Sequence, residues 1–341
     1  MIRHITNLAF FTMLSVAAVA QTAPQTGQPQ RRRYQPRPYT LTVNDIAKTK
    51  VDTAKLGAAF RAAYPAFAYA DGYRTKREVT MRIIDTAKNF TLSAREGEIV
   101  ANATWIKNKK NLAGFQQSLN DALHKNWVSV DTIKKNGYSL VFINKNEKFN
   151  PTVQKNLINT YFEIYPKLCD MFNHKATKDV IFVTDTAYKG VAETSGSRIL
   201  FATHYMNQHP YDIDVVTHEC THIVQSYGYS YGRDLVWLTE GIADFMRYKF
   251  GVDNVGSKWF LPNFKSTQSY KDSYRVTARF FEWMDQKIKP GMIVQIDEAL
   301  RNGSFKPTIW ADMSGGKSLD ELWAAYAADP DLHLVYSSEN P

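Results

Sequence analysis

The pentapeptide His218-Glu219-Cys220-Thr221-His222 sits between Asp212-Ile213-Asp214-Val215-Val216-Thr217 and Ile223-Val224-Gln225. On a helix, histidines four apart share one face and converge on one point, and that is a metal-binding spacing. Neutral imidazole suits Zn²⁺, and a catalytic zinc keeps three protein ligands and one open position, which Glu219 could face. The flanks read as one buried helix. Asp212 and Asp214 are N-cap candidates, Ile223 and Val224 continue the apolar face, and Gly228 is its expected end. The other reading of the string is a core helix with two hydrogen-bonded histidines.

A third ligand is sought downstream. The position six residues after His222, where metzincins carry a histidine, is Gly228. Trp237-Leu238-Thr239-Glu240-Gly241-Ile242-Ala243-Asp244 instead offers two carboxylates four apart on one helical face. Glu240 is the expected metal ligand, and Asp244 the acceptor for the outer ring N–H of a liganding histidine. Trp237, Leu238, Ile242, Phe245 and Met246 mark this helix as buried, and buried carboxylates need a cation. The arrangement resembles the gluzincins, the thermolysin-like class.

The stretch from about Gly137 to Pro330 resembles the basic secretory protein family, peptidases of plants and bacteria. The resemblance is carried by Val191-Ala192-Glu193, by His218 to Gln225, by Trp237 to Arg247, by Tyr274 to Trp283, and by Lys317-Ser318-Leu319-Asp320-Glu321-Leu322-Trp323. It implies an exported zinc metallopeptidase with two histidines and a downstream acidic residue as ligands, and gives no substrate. The expected fold class is α+β: a thermolysin-like catalytic domain, with a small mixed sheet and then a helical subdomain. By resemblance, Ile199, Leu200, Phe201 and Ala202 are expected to form the edge strand that pairs with the substrate backbone. His204 and His209, just beyond it, are weaker candidates for substrate contact.

A partial amino-terminal copy of the catalytic α/β frame is expected as well, the other reading being a generic α+β domain with accidental similarity. Tyr39-Thr40-Leu41 parallels Tyr138-Ser139-Leu140, Tyr64-Pro65 parallels Tyr165-Pro166, Asp85-Thr86-Ala87 parallels Asp185-Thr186-Ala187, and Ile99-Val100 parallels Ile199-Leu200, at offsets between 99 and 101. Ser118, Leu119 and Ala122 would then stand where His218, Glu219 and His222 stand, so this copy is degenerate and cannot bind metal. It is expected to pack on the catalytic part or cover its exposed surface.

Residues 1 to 20 read as a signal peptide, with Arg3, an apolar run from Ile5 and Ala18-Val19-Ala20 before Gln21; export to periplasm or exterior follows. Residues 21 to 38 are a basic, Pro- and Gln-rich linker, 39 to 136 the non-catalytic module, 137 to 330 the peptidase domain and 331 to 341 a tail. A hydrophobic fraction of 44% suffices for a packed core. The charge of +9 suits anionic partners or simple solubility, and no nucleic-acid motif accompanies it. No segment reads as a membrane span, and no oligomerisation surface is legible. Cys169 and Cys220 are expected as two buried thiols, with pairing the alternative; neither is expected to bind zinc.

The expected reaction is hydrolysis of a peptide bond in a peptide, protein or glycoprotein by zinc-activated water, with Glu219 moving the proton. Tyr274, taken as sharing a helix with Tyr270 and followed by Arg275 and Arg279, is the first candidate to donate to the developing oxyanion, and Tyr231 the second. A zinc-containing binding module for glycans or proteins, or an amidase acting on cell-wall peptides or glycopeptides, stay open as alternatives.

Overall fold

The computed structural model describes residues 38–72, 75–86, 90–228 and 233–336. The expected signal peptide, the linker up to Arg37, and Tyr231 lie outside the described residues. The protein is a mixed α+β structure with two small mixed sheets and a helical part. In chain order the first sheet region holds β1 (Thr40–Asp45), α1 (Thr53–Asp71), β2 (Glu78–Ile84), β3 (Leu92–Arg95), β4 (Glu98–Asn102), α2 (Ala103–Lys107), α3 (Lys109–Ala113) and α4 (Phe115–Leu123). The second holds β5 (Ser129–Lys135), β6 (Tyr138–Asn144), α5 (Pro151–Phe172), β7 (Asp179–Asp185), β8 (Ala192–Ser195), β9 (Arg198–Ala202), α6 (Thr203–Gln208) and α7 (Val215–Gln225). Five helices follow: α8 (Val236–Phe250), α9 (Tyr274–Lys287), α10 (Met292–Asn302), α11 (Ile309–Ser314) and α12 (Leu319–Ala328).

The sheets run β1-β2-β4-β3 and β5-β6-β7-β9-β8. In each, three parallel strands are followed by one antiparallel edge strand, and the registers correspond. Thr40 pairs with Glu78 as Ser139 pairs with Asp179, and Leu92 pairs with Ala101 as Ala192 pairs with Phe201. The second sheet has one extra strand. Asn136 and Gly137, both at positive φ (52° and 80°), make the two-residue turn that folds β5 back on β6. The second sheet therefore begins at Ser129.

The segment Ile199 to Ala202 is not an edge strand. It belongs to β9, which lies between β7 and β8 and is buried at all five positions, as central parallel strands are. The edge is β8, whose polar residues Glu193, Thr194 and Ser195 suit a strand with one unpaired side.

α5 starts at Pro151, a residue suited to the first helical turn, and Asn150 caps it by accepting from the Thr152 N–H at 2.9 Å. Its apolar stripe, Leu157, Tyr161, Ile164, Tyr165 and Leu168, is buried in one large core shared with β6, β7, β9, α7 and the later helices. The first sheet has its own core, built around Leu56, Phe60, Met81, Ile83 and Leu119. A third, small cluster joins the regions: Ile143, Val183 and Leu200, on the far face of the second sheet, are packed by Ala70 from α1 and by Trp127. The expected tail is not free along its first part, since Leu332, Leu334 and Tyr336 pack on the main core. Cys169 and Cys220 are buried free thiols. Among the described residues no helix is long and apolar enough to cross a membrane.

Candidate metal centre and its cleft

α7 is enclosed by core on most sides, with Val216, Cys220 and Val224 fully buried. Asp214 precedes it without capping its N–H groups. Its carboxylate instead accepts from Thr217 Oγ1 at 3.1 Å and from the backbone N–H groups of Val252 and Asp253 at 2.7 and 2.6 Å, fastening the start of α7 to the chain after α8. The helix ends at Gln225, where Ser226 turns left-handed (φ 38°), three residues before the glycine expected to end it.

The structure brings His218, His222 and Glu240 together. The two Nε2 atoms are 3.2 Å apart, and Glu240 Oε2 lies 3.2 Å from that of His218 and 3.4 Å from that of His222. A tetrahedral zinc with ligands at about 2.0–2.1 Å separates them by roughly 3.3 Å, so the three atoms fit as they stand. The outer nitrogens agree. His218 Nδ1 is 2.7 Å from Asp244 Oδ1, and His222 Nδ1 is 2.7 Å from Gln225 Oε1. The Gln225 amide is oriented by its Nε2 donating to the Thr239 carbonyl at 3.0 Å, so its oxygen faces His222. Both outer nitrogens therefore face an acceptor, which leaves both Nε2 atoms, turned toward Glu240 Oε2, free to bind a cation once deprotonated.

The electrostatics favour positive charge at that point. Burial works against an imidazolium at His218, but Asp244, then Glu240 and Glu219, outweigh it and push the imidazole up to about 10. Burial would likewise raise the Glu240 carboxyl, yet the hydrogen bonds from both histidines hold it well below the usual carboxylate range. A cation among these carboxylates satisfies the same demand.

Glu219 is buried to 5% exposure. The Thr194 hydroxyl, on edge strand β8, lies 2.7 Å from its Oε2 and 3.0 Å from its carbonyl oxygen. Tyr274 opens α9 and places its ring 6.1 Å from that of His218, the planes 16° apart, while half of the residue stays exposed. Burial, followed by Glu240, Asp244 and Glu219, raises its phenol above the usual value, so it remains a donor at neutral pH. Tyr270 does not share its helix. Ser269 and Asp272 close a separate 3-10 turn over Tyr270–Asp272 with a capping box, and the chain then passes through positive φ at Ser273 (69°) and at Tyr274 (48°), the first residue of α9. Two consecutive non-glycine residues in that region are strained, and strain of this kind collects where function fixes the backbone. Arg275 donates to the Phe260 carbonyl at 3.3 Å and lines the cleft. Arg279 is turned away, buried against Pro330.

These groups open into a cleft of about 1810 Å³, walled by β8, by the chain from Gln208 to Asp212, by α8, and by residues Gly256 to Trp259. Of the two histidines proposed from the sequence as candidates for substrate contact, His209 lines it and His204 does not. Ile199 to Ala202 do not reach it, whereas Ala192, Glu193 and Thr194 do. Two contributors escaped the sequence reading. Gln225 is legible in retrospect, three residues after His222 on the same face; Thr194 is distant in sequence, and no spacing pointed to it.

The frame and the site define a two-histidine, one-glutamate centre on an α+β scaffold, and the family comparison covers the three residues of that centre. The chain belongs to the family of peptidases of plants and bacteria, whose model matches residues 139–326. No curated protein matches the sequence. Among solved structures it is similar to an aminopeptidase N family protein from Idiomarina loihiensis (10% identity, TM-score 0.36, covering 62% of this chain and 47% of that one). It is similar also to an M1 zinc metallopeptidase from Deinococcus radiodurans (9%, 0.35, 63% and 54%). A third is Legionella pneumophila aminopeptidase A in complex with aspartic acid (18%, 0.33, 59% and 26%). The chain spans about half the length of the first two.

Proposed function

We propose that this chain is an exported, gluzincin-like zinc peptidase that hydrolyses peptide bonds in peptides, proteins or glycoproteins. The observation that carries the reading is the set of three inward ligand atoms 3.2 to 3.4 Å apart, with each imidazole fixed from outside by Asp244 or Gln225. His218, His222 and Glu240 would hold the ion. When bound, Zn²⁺ supplies Lewis-acid polarisation and acidifies water.

The remaining work belongs to the side chains. The Glu219 carboxylate accepts a proton from the attacking water and returns it to the leaving amine. Tyr274, protonated and facing the cleft, donates a hydrogen bond to the carbonyl oxygen as charge develops there. The open side of β8 offers main-chain N–H and C=O groups to an extended substrate, giving affinity with little demand on sequence. Residues 1 to 20 direct export.

The test is cleavage of casein and of a glycoprotein by the mature chain, with the metal content of each sample measured. The expected result is metal-dependent cleavage that falls by about 10²-fold or more in Glu219→Gln while zinc stays bound. A wild-type chain that holds one equivalent of zinc and cleaves neither substrate, or a Glu219→Gln variant as active as wild type, overturns it.

A further inference from the structure

Edge strand β8 is four residues long and among the described residues pairs only with β9, yet it carries Thr194, the side chain hydrogen-bonded to Glu219. The Gly196–Ser197 turn joins it to β9, and it lies beside α7. That turn is held by the first half of the chain. The Tyr69 hydroxyl, near the end of α1, accepts from the Ser197 N–H at 2.7 Å and lies 2.9 Å from Ser197 Oγ and 3.4 Å from the Ser195 carbonyl oxygen. Gly196 sits at φ 61° with the Tyr69 hydroxyl so close that a Cβ would stand 2.8 Å from it, so the contact is built into the turn.

The end of α1 is itself anchored to the second sheet. Arg198 donates to the Tyr69 carbonyl at 2.9 Å, and Lys145 to the Asp71 carbonyl at 2.9 Å. Lys145 also pairs with the Asp71 and Asp185 carboxylates at 2.6 and 3.1 Å, and Trp127 Nε1 donates to Asp71 at 3.0 Å. Gly72 follows at φ 70°, leaving room for the Arg198 guanidinium where a side chain would collide with it.

We propose that the metal-free first half acts on the site as a positioning element: Tyr69 fixes the Gly196–Ser197 turn, and β8 transmits that fix through Thr194 to Glu219. The inference rests on the peptidase reading for its catalytic consequence. Tyr69 touches neither substrate nor metal ligand and is a positioning residue. A carboxylate that must meet a water and then an amine is sensitive to displacement, since misplacement by about 1 Å can cost on the order of 10²-fold in rate.

The experiment is a double-mutant cycle on the full mature chain with Tyr69→Phe and Thr194→Val, plus Thr194→Ser as the conservative control. Tyr69→Phe keeps the ring and its packing. It is expected to lower kcat roughly two- to tenfold, the size of one hydrogen bond, with KM, zinc content and melting temperature unchanged. Thr194→Val lowers kcat further, Thr194→Ser restores it, and Tyr69→Phe has no added effect in the Thr194→Val background. Hydrogen exchange at residues 193–197 speeds up in Tyr69→Phe, a readout independent of activity. Unchanged exchange there, or kcat losses that simply multiply, overturns the proposal. Faster exchange in a protein whose wild type cleaves no peptide bond would leave the brace standing and remove the peptidase reading alone.

Discussion

Helices α4 and α7 occupy matching places, each packed beside an antiparallel edge strand of a sheet with the same strand order, and they differ in what they present. One hundred positions before His218, Glu219 and His222 the chain carries Ser118, Leu119 and Ala122. Leu119 is wholly buried in an apolar core, whereas Glu219, almost as buried, meets the Thr194 hydroxyl. No α8 follows α4, so the first half has nothing in the place of Glu240 or Asp244. An α/β frame of this kind is set by apolar pattern and strand register. The chemistry requires three side chains on one helix and a second helix to complete them.

That contrast can be broken by exchanging a residue across it. Leu119→Glu would bury a carboxylate with no cation or donor nearby, and is expected to cost about 3–5 kcal/mol, read as a fall in melting temperature or urea midpoint. A loss below about 1 kcal/mol would mean that the first core is far looser than its burial shows. On the other side of the comparison, Asp244→Asn keeps the shape but removes the charge holding the His218 N–H. Zinc affinity is expected to fall about 10- to 100-fold by competition with a chelator, while secondary structure is unchanged. The same change in affinity is expected for Gln225→Leu, because it releases the other imidazole.

The smallest effect lies in the helical extension that the first half lacks. Glu321 closes the capping box of α12, and the hydrogen bonds from Ser318 lower its carboxyl pKa below the ordinary 4.5. A carboxylate so depressed stabilises the fold fully above that ordinary value and progressively less as pH falls below it. Wild type should therefore melt slightly above Glu321→Gln at pH 7, with the gap closing toward pH 3. A gap that widens on acidification would show the sign to be wrong.

The edge-strand error is instructive about what a sequence can say. Arg198-Ile199-Leu200-Phe201-Ala202 reads as a short apolar run, and such a run cannot by itself be assigned to a centre or an edge. Burial on both faces is the mark of a central parallel strand. The polar Glu193-Thr194-Ser195 was the edge all along. Tyr270 and Tyr274, four apart, read as helical neighbours, but strain at Ser273 and Tyr274 separates them. The residues at the site itself were legible because their spacing is local: four along α7, four along α8.

By itself the sequence determined which atoms can meet: an i, i+4 pair of imidazoles and a downstream i, i+4 pair of carboxylates. These follow from the geometry of one helix or one strand, which each segment carries within itself. Only the tertiary structure decided that β8 faces the cleft, that Thr194 reaches Glu219, and that Tyr69, well over a hundred residues away in sequence, clasps the turn beside them. Contacts between distant segments are set by how whole elements pack, and no periodicity within one segment records them.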